Sequence, residues 1–222
     1  MANNWKNAYG NDGLMSENSL YYEGDKYTYS FRLQKNIDER INLVGGKKEY
    51  EKLLDNFFGF NNESVAQVRN VEAFEEIDSK KYHRFQGFNN ECDMETPYAY
   101  IYAGNHNKLC EIIYDCVNKS FGVGKGGLPG NNDSGGLSSA FIFNAVGLFP
   151  VSGSGEFLVG APSFKKATIN LFNGKVLTVS AENLTKNSRY VDSVTFNGKE
   201  VLNYKINVAD IINGGNLNFI MK

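Results

Sequence analysis

Three short stretches carry side chains able to do chemistry. Residues 126–150 read GGLPGNNDSGGLSSAFIFNAVGLFP, a glycine-punctuated polar loop opening into an apolar helix, with Asn131, Asn132, Asp133 and Ser134 gathered at the helix start. Free backbone N–H groups and the helix dipole favour a carboxylate there. The same residues also suit an ordinary cap, with Asp133 or Ser134 accepting from the first turn. Glu23 stands in YYEGDKYTY, residues 21–29. Its bordering tyrosines would lower local polarity and raise its pKa, keeping a proton available for donation. The plainer reading is a solvent-facing carboxylate beside a turn at Gly24. The third stretch, GFNNECDMETPYAY at 87–100, offers Asn90, Glu91, Asp93 and Glu95 as oxygen donors. An acidic run before a helix is equally a cap and a solvated face.

Taken together and in this order, the three blocks resemble the family 92 glycoside hydrolases, calcium-dependent exo-acting α-mannosidases. The resemblance runs from about Trp5 to the C-terminus and includes the closing ADIINGGNLNFIMK. It implies an inverting hydrolysis of terminal, α-1,2-type mannose from glycans, which needs a protonated acid and an ionised base about 6.5–9.5 Å apart, with water between base and sugar. By the resemblance, Glu23 matches the general acid and Asp133 the general base. Asn90 and Glu91 match the calcium site, with Asp93 and Glu95 nearby, and Asn132 and Asp93 are expected to contact the sugar. Calcium takes six to eight oxygen ligands from carboxylates, amides, carbonyls and water, and in the family it holds the vicinal hydroxyls of a manno-configured ring. Four positions depart from the family pattern. Tyr27 and Thr28 stand where Trp and Gln are usual, Asn132 stands where a second acid is common, and Cys92 stands where many members have Pro.

Composition is ordinary for a globular protein. The 222 residues carry 23 basic and 25 acidic side chains, interspersed, for a net charge of −2, so no nucleic-acid partner is expected. No apolar run reaches the roughly 18–20 residues that span a bilayer, so no membrane partner is expected either. The N-terminal MANNWKNAYGND lacks the charged and apolar regions of a signal peptide, which leaves the place of work unknown. Cys92, Cys110 and Cys116 are odd in number and have no ligand-like spacing to His83 or His106. Cys110 and Cys116 are therefore read as core residues and both histidines as loop or surface residues.

These side chains must be positioned by helices first and strands afterwards. Asn36 is placed to cap a helix with Ile37, Ile41 and Leu43, stopped by Gly45-Gly46. Helical spacing recurs at Tyr50, Leu53, Leu54, Phe57 and Phe58, and again at Leu109, Ile112, Ile113 and Cys116. Pro97 opens a helix with Tyr98, Ile101 and Tyr102, closed by Gly104. The last helix starts near Ser134 and carries Leu137, Phe141, Ile142 and Ala145 as a core stripe. After Pro150 the period changes. Strands are expected at 157–159, 167–172, 176–181, 191–196 and 217–221, with Asn173-Gly174 and Asn197-Gly198 as hairpin turns, and a helical turn at 208–212.

The fold class expected is α+β: part of an (α/α)6 helical toroid (residues 1–150), then an antiparallel β-sandwich-like segment (151–222), the toroid being implied by the resemblance. Family members carry a β-rich domain before the barrel, so the chain reads as the C-terminal part of such an enzyme. The alternatives are a catalytically incomplete remnant or sugar-binding piece that needs a partner, either a missing N-terminal domain or a second copy in a homo-oligomer.

Overall fold

The computed structural model describes residues 10, 14–16, 21, 26–33, 36–60, 88, 90, 91 and 93–222. Helices come first: α1 (Lys26–Ser30), α2 (Ile37–Leu43), α3 (Lys47–Phe58), α4 (Ala99–Ala103), α5 (His106–Asp115) and α6 (Gly136–Val146). Then follow β1 (Leu148–Val151), β2 (Glu156–Val159), β3 (Lys166–Asn170), β4 (Val176–Glu182), β5 (Val191–Phe196), β6 (Lys199–Glu200), β7 (Lys205–Asn207), the short α7 (Val208–Ile211) and β8 (Gly215–Met221). None of the described helices is long and apolar enough to cross a membrane.

The helical layer closes around an aromatic core. Phe31, Tyr50, Phe57, Phe58, Tyr98 and Tyr100 have no exposed surface. Phe57 meets Phe58 edge-on at 4.8 Å and Phe31 at 5.3 Å, geometries that aromatic quadrupoles favour. Helix ends follow the sequence signals: Gly59 and Gly104 adopt left-handed C-caps after α3 and α4. Asn36 does precede α2, but its side chain makes no capping hydrogen bond. One ion network ties α3 to α5. Lys108 Nζ donates to Glu51 Oε1 and to both Asp55 oxygens at 2.7 Å, while the Tyr100 hydroxyl donates to Asp55 Oδ1 at 2.9 Å.

The strands form two sheets. One is antiparallel, ordered β1-β2-β7, and the other has the order β3-β4-β8-β5-β6. Both expected hairpins are present. Asn197 and Gly198 take φ of 50° and 77° between the paired β5 and β6, the mirror-image turn whose twist matches the strands. Several features differ from the sequence expectation, among them the short strands β6 and β7. β4 and β8 run parallel, because the chain between them crosses over through β5, β6, β7 and α7, and period-two alternation reads the same in either direction. β1 was not expected. It is a short edge strand containing Pro150, whose missing N–H is tolerated at an edge. On α6, Ile142 is 60% exposed, while Leu137, Ala140, Asn144, Ala145 and Val146 are buried, so the core face is rotated from the expected stripe.

Helix α5 joins the layers. Leu109, Ile112 and Ile113 pack in the helical core, while Cys110 packs with Val179, Leu217 and Phe219 of the five-stranded sheet. The Tyr190 hydroxyl donates to Glu111 Oε1 at 2.6 Å, and the Tyr114 hydroxyl to the Lys186 carbonyl at 2.8 Å. Gly147 ends α6 at φ 81°, and a β-carbon there would stand 3.0 Å from Phe219 Cζ and 3.1 Å from the Pro162 nitrogen. Only glycine meets both demands.

Candidate functional site

The loop at 130–138 folds more tightly than a simple cap. Asp133–Gly135 form one 3-10 turn, with Ser134 at φ 52° and Gly135 at φ 78°, and α6 begins only at Gly136. Neither Asp133 nor Ser134 caps the helix. The capping side chain is Asn132, whose Oδ1 accepts from the Ser138 N–H at 3.0 Å, three residues into the helix. The Gly135 N–H donates to the Asn132 carbonyl at 2.9 Å and closes the turn. Asp133 is thereby released from structural duty and stands exposed at the head of α6.

The acidic stretch comes to the same place. A β-carbon on Gly136 would lie 2.9 Å from Glu91 Oε1, 3.2 Å from Glu91 Cγ and 3.3 Å from Met94 Cε. The Glu91 side chain thus lies against the first residue of α6, directly after the Asp133 turn. Glu91 Oε1 is buried and makes no hydrogen bond among the described residues. A buried carboxylate oxygen without a donor is costly, and it suits a group that awaits a cation. Residues 93–98 are wound into turns, with Asp93 N donating to the Asn90 carbonyl at 3.1 Å and Thr96 N to the Asp93 carbonyl at 3.0 Å. Asp93 is only 5% exposed.

Glu95 serves elsewhere. Its Oε1 accepts from the Leu33 N–H at 2.9 Å and from Arg32 Nε at 3.3 Å, fixing the end of α1 to the acidic turn. This brace was not visible in the sequence, because its partners stand more than sixty residues apart. Glu23, Cys92 and His83 lie outside the described residues. α1 begins shortly after Glu23, with Thr28 buried and Tyr27 packed at 6.4 Å from Phe57.

His106 corrects the expectation of a loop or surface histidine. It opens α5, is 6% exposed, lies on the Tyr204 ring, and its Nε2 sits 2.8 Å from the Val159 carbonyl. Burial pulls its pKa down to about 4, outweighing the hydrogen bond to Val159. The neutral ring donates Nε2–H to that carbonyl, which leaves Nδ1, 3.4 Å from Cys110 Sγ, as an acceptor. Burial pushes the Cys110 thiol up to about 12, so it is no nucleophile. Cys110 and Cys116 are both buried, as expected.

Among the described residues no three His, Cys, Asp or Glu side chains converge as a metal cage. Asn90, Glu91 and Asp93 carry oxygen donors of the hard type that calcium accepts. A cleft of about 440 Å³ opens elsewhere, lined by Asp38, Tyr102, Ser152, Glu156 and Lys205. It contains neither Asp133 nor Glu91, and the chemistry of the residues outweighs the size of the hollow in choosing the site.

Comparison with known proteins bears on this geometry. Residues 2–222 match the glycosyl hydrolase family 92 catalytic domain. A curated relative, an uncharacterized secreted glycosidase of Arthroderma benhamiae, is 26% identical over 207 residues, which is 92% of this chain and 24% of that protein. A solved family GH92 α-mannosidase of Bacteroides thetaiotaomicron superposes with a TM-score of 0.76 at 25% identity, over 90% of this chain and 25% of that one. The same enzyme in complex with mannoimidazole gives a TM-score of 0.76 at 26% identity, over the same 90% and 25%. An inverting family GH92 mannosidase of that organism shares the fold at a TM-score of 0.75 and 23% identity, over 99% of this chain and 32% of that one. The chain spans about a quarter of the length of the first two relatives.

Proposed function

The chain belongs to glycoside hydrolase family 92, and from that premise we propose that it forms part of an inverting, calcium-dependent exo-α-mannosidase that removes terminal, α-1,2-linked mannose from glycans. The observation that carries this reading is the meeting of the Glu91 carboxylate with the first residue of the helix that follows Asp133. Two stretches roughly forty residues apart in sequence are thereby joined at one helix start, which brings the candidate metal ligand beside the turn that carries the candidate base. The solved α-mannosidase relative that binds mannoimidazole supports a mannose-configured substrate.

In this reading Asp133 is the general base. Its exposed carboxylate takes a proton from a water molecule as that water's oxygen attacks the anomeric carbon. Glu23 is the general acid and gives its proton to the departing glycosidic oxygen, so the C–O bond breaks as the new one forms on the opposite face. Asn132 holds the turn that presents Asp133, and its amide nitrogen remains available to a sugar hydroxyl. Asn90 and Glu91 would hold calcium, and Asp93, beside them in sequence, is with Asn132 a candidate contact to the sugar. A calcium ion held there would supply Lewis-acid anchoring of sugar hydroxyl groups. The helices to residue 150 carry this chemistry, as part of a toroid, and the strands from 151 brace them.

The test is hydrolysis of an α-1,2-mannobiose by the enzyme that contains this chain. Asp133→Asn is expected to lower kcat by about 10²–10⁴-fold with an unchanged denaturation midpoint, and the product released by the parent is expected to appear first as the β-anomer. Near-normal turnover by the variant removes Asp133 from the mechanism, and an initial α-anomer removes inversion.

A further inference from the structure

Gly136 stands out because its backbone does not need glycine. Its φ is −57°, ordinary for a helix, so the glycine is explained by space and not by conformation. The space is taken by Glu91: a β-carbon would stand 2.9 Å from Oε1 and 3.2 Å from Cγ of that side chain. The nearest atoms belong to the flexible ends of Glu91 and Met94, not to backbone. A methyl group at 136 is therefore cheap for the fold and expensive for the place of one carboxylate. On the other side of Gly136, the Asn132 cap on Ser138 and the left-handed Ser134-Gly135 pair fix the Asp133 turn to the same helical residue.

We infer that Gly136 is a positioning residue: by lacking a side chain it lets the Glu91 carboxylate rest on the head of α6, and so sets the metal-binding stretch at a fixed distance from the Asp133 turn. The inference rests on the calcium reading proposed above, and adds to it a coupling between the two halves of the site. A side chain at 136 displaces Glu91 and loosens the cation without touching either the ion or the sugar.

The experiment is a calorimetric titration of the 222-residue chain with calcium chloride, using the parent, Glu91→Gln, Gly136→Ala and the double variant Gly136→Ala/Glu91→Asp, with a thermal midpoint for each. The parent is expected to bind and Glu91→Gln to lose binding. Gly136→Ala is expected to bind at least tenfold more weakly with a midpoint equal to or above the parent's, since alanine is the better helix former. The shorter carboxylate of the double variant is expected to recover part of the affinity. If Gly136→Ala binds as tightly as a calcium-binding parent, the coupling is overturned and the metal reading stands. A parent that does not bind calcium overturns both. Should Gly136→Ala unfold, recovery of the fold in the double variant supports the same Glu91 contact, and failure to recover overturns it.

Discussion

The imidazole of His106 lies flat on the ring of Tyr204, centroids 3.6 Å apart and planes 2° apart. Tyr204 holds this stack from a left-handed backbone, φ 55°, immediately after Asn203 at φ 56°. Such backbone strain persists only where surrounding contacts over-determine it. Here the contact is a seam: His106 begins α5, its Nε2 binds the β2 carbonyl of Val159, and Tyr204 leads into β7. One buried ring thus joins a helix to two strands of the smaller sheet.

That seam is acid-labile. The folded protein keeps His106 neutral until about pH 4, whereas the unfolded chain takes up a proton near 6.5. The unfolded state therefore binds more protons between those values, and stability falls as pH drops through that window. The loss amounts to something on the order of 3 kcal/mol by pH 4. Urea denaturation of the parent and His106→Gln at several pH values checks this: the variant is expected to show a shallower decline from pH 6.5 to 4, and parallel curves would exclude His106 as the source.

Lys108 anchors a second seam, between α3 and α5. Burial alone would raise the Glu51 carboxyl, but hydrogen bonds from Lys108 and Asn105 hold it below the usual range. Burial likewise pulls Lys108 down, yet Asp55 and Glu51 hold it above its ordinary value. The Glu51 contribution is present above 4.5 and lost as pH falls through its lowered folded value; that of Lys108 is present below 10.5 and lost as pH rises through its raised one. Lys108→Met is expected to cost about 1–2 kcal/mol at neutral pH, because it leaves two partly buried carboxylates without their cation while Asn105 and Tyr100 still donate to them. A change below 0.5 kcal/mol in the denaturant midpoint analysis would show the network to be solvated.

Asn132 separates cap from chemistry. Asn132→Ala removes the acceptor for Ser138 N–H and is expected to lower stability by about 1 kcal/mol and kcat through a loosened Asp133 turn. Asn132→Asp keeps an acceptor and is expected to restore the stability. Differential scanning calorimetry and turnover numbers on both variants check this, and an Ala variant as stable as the parent would remove the cap.

Glu23 is tested by its leaving group. Glu23→Gln is expected to slow hydrolysis of mannobiose by about 10²–10⁴-fold while sparing aryl mannosides whose phenolate departs without a proton. Equal losses on both substrates argue against an acid role.

Much of the helical half was legible in the sequence because a helix records its buried face at a spacing of three and four residues. The stripe at Tyr50, Leu54, Phe57 and Phe58 gave α3 its place, and Gly45-Gly46 and Gly104 marked the ends of α2 and α4. The two Asn-Gly turns were equally local. The parallel pairing of β4 with β8 was not, since alternation fixes which face is buried but not which way the neighbour runs.

The sequence by itself determined the residue types for hydrolysis and the order of helices then strands, because periodicity, turns and motifs are properties of nearby residues. Only the tertiary structure decided that Asn132 and not Asp133 caps α6, that Glu95 is spent on Leu33, that His106 is buried, and that Glu91 lies on Gly136. Each of these depends on contacts between distant segments, whose distances are set by packing of the whole core and leave no period in the chain.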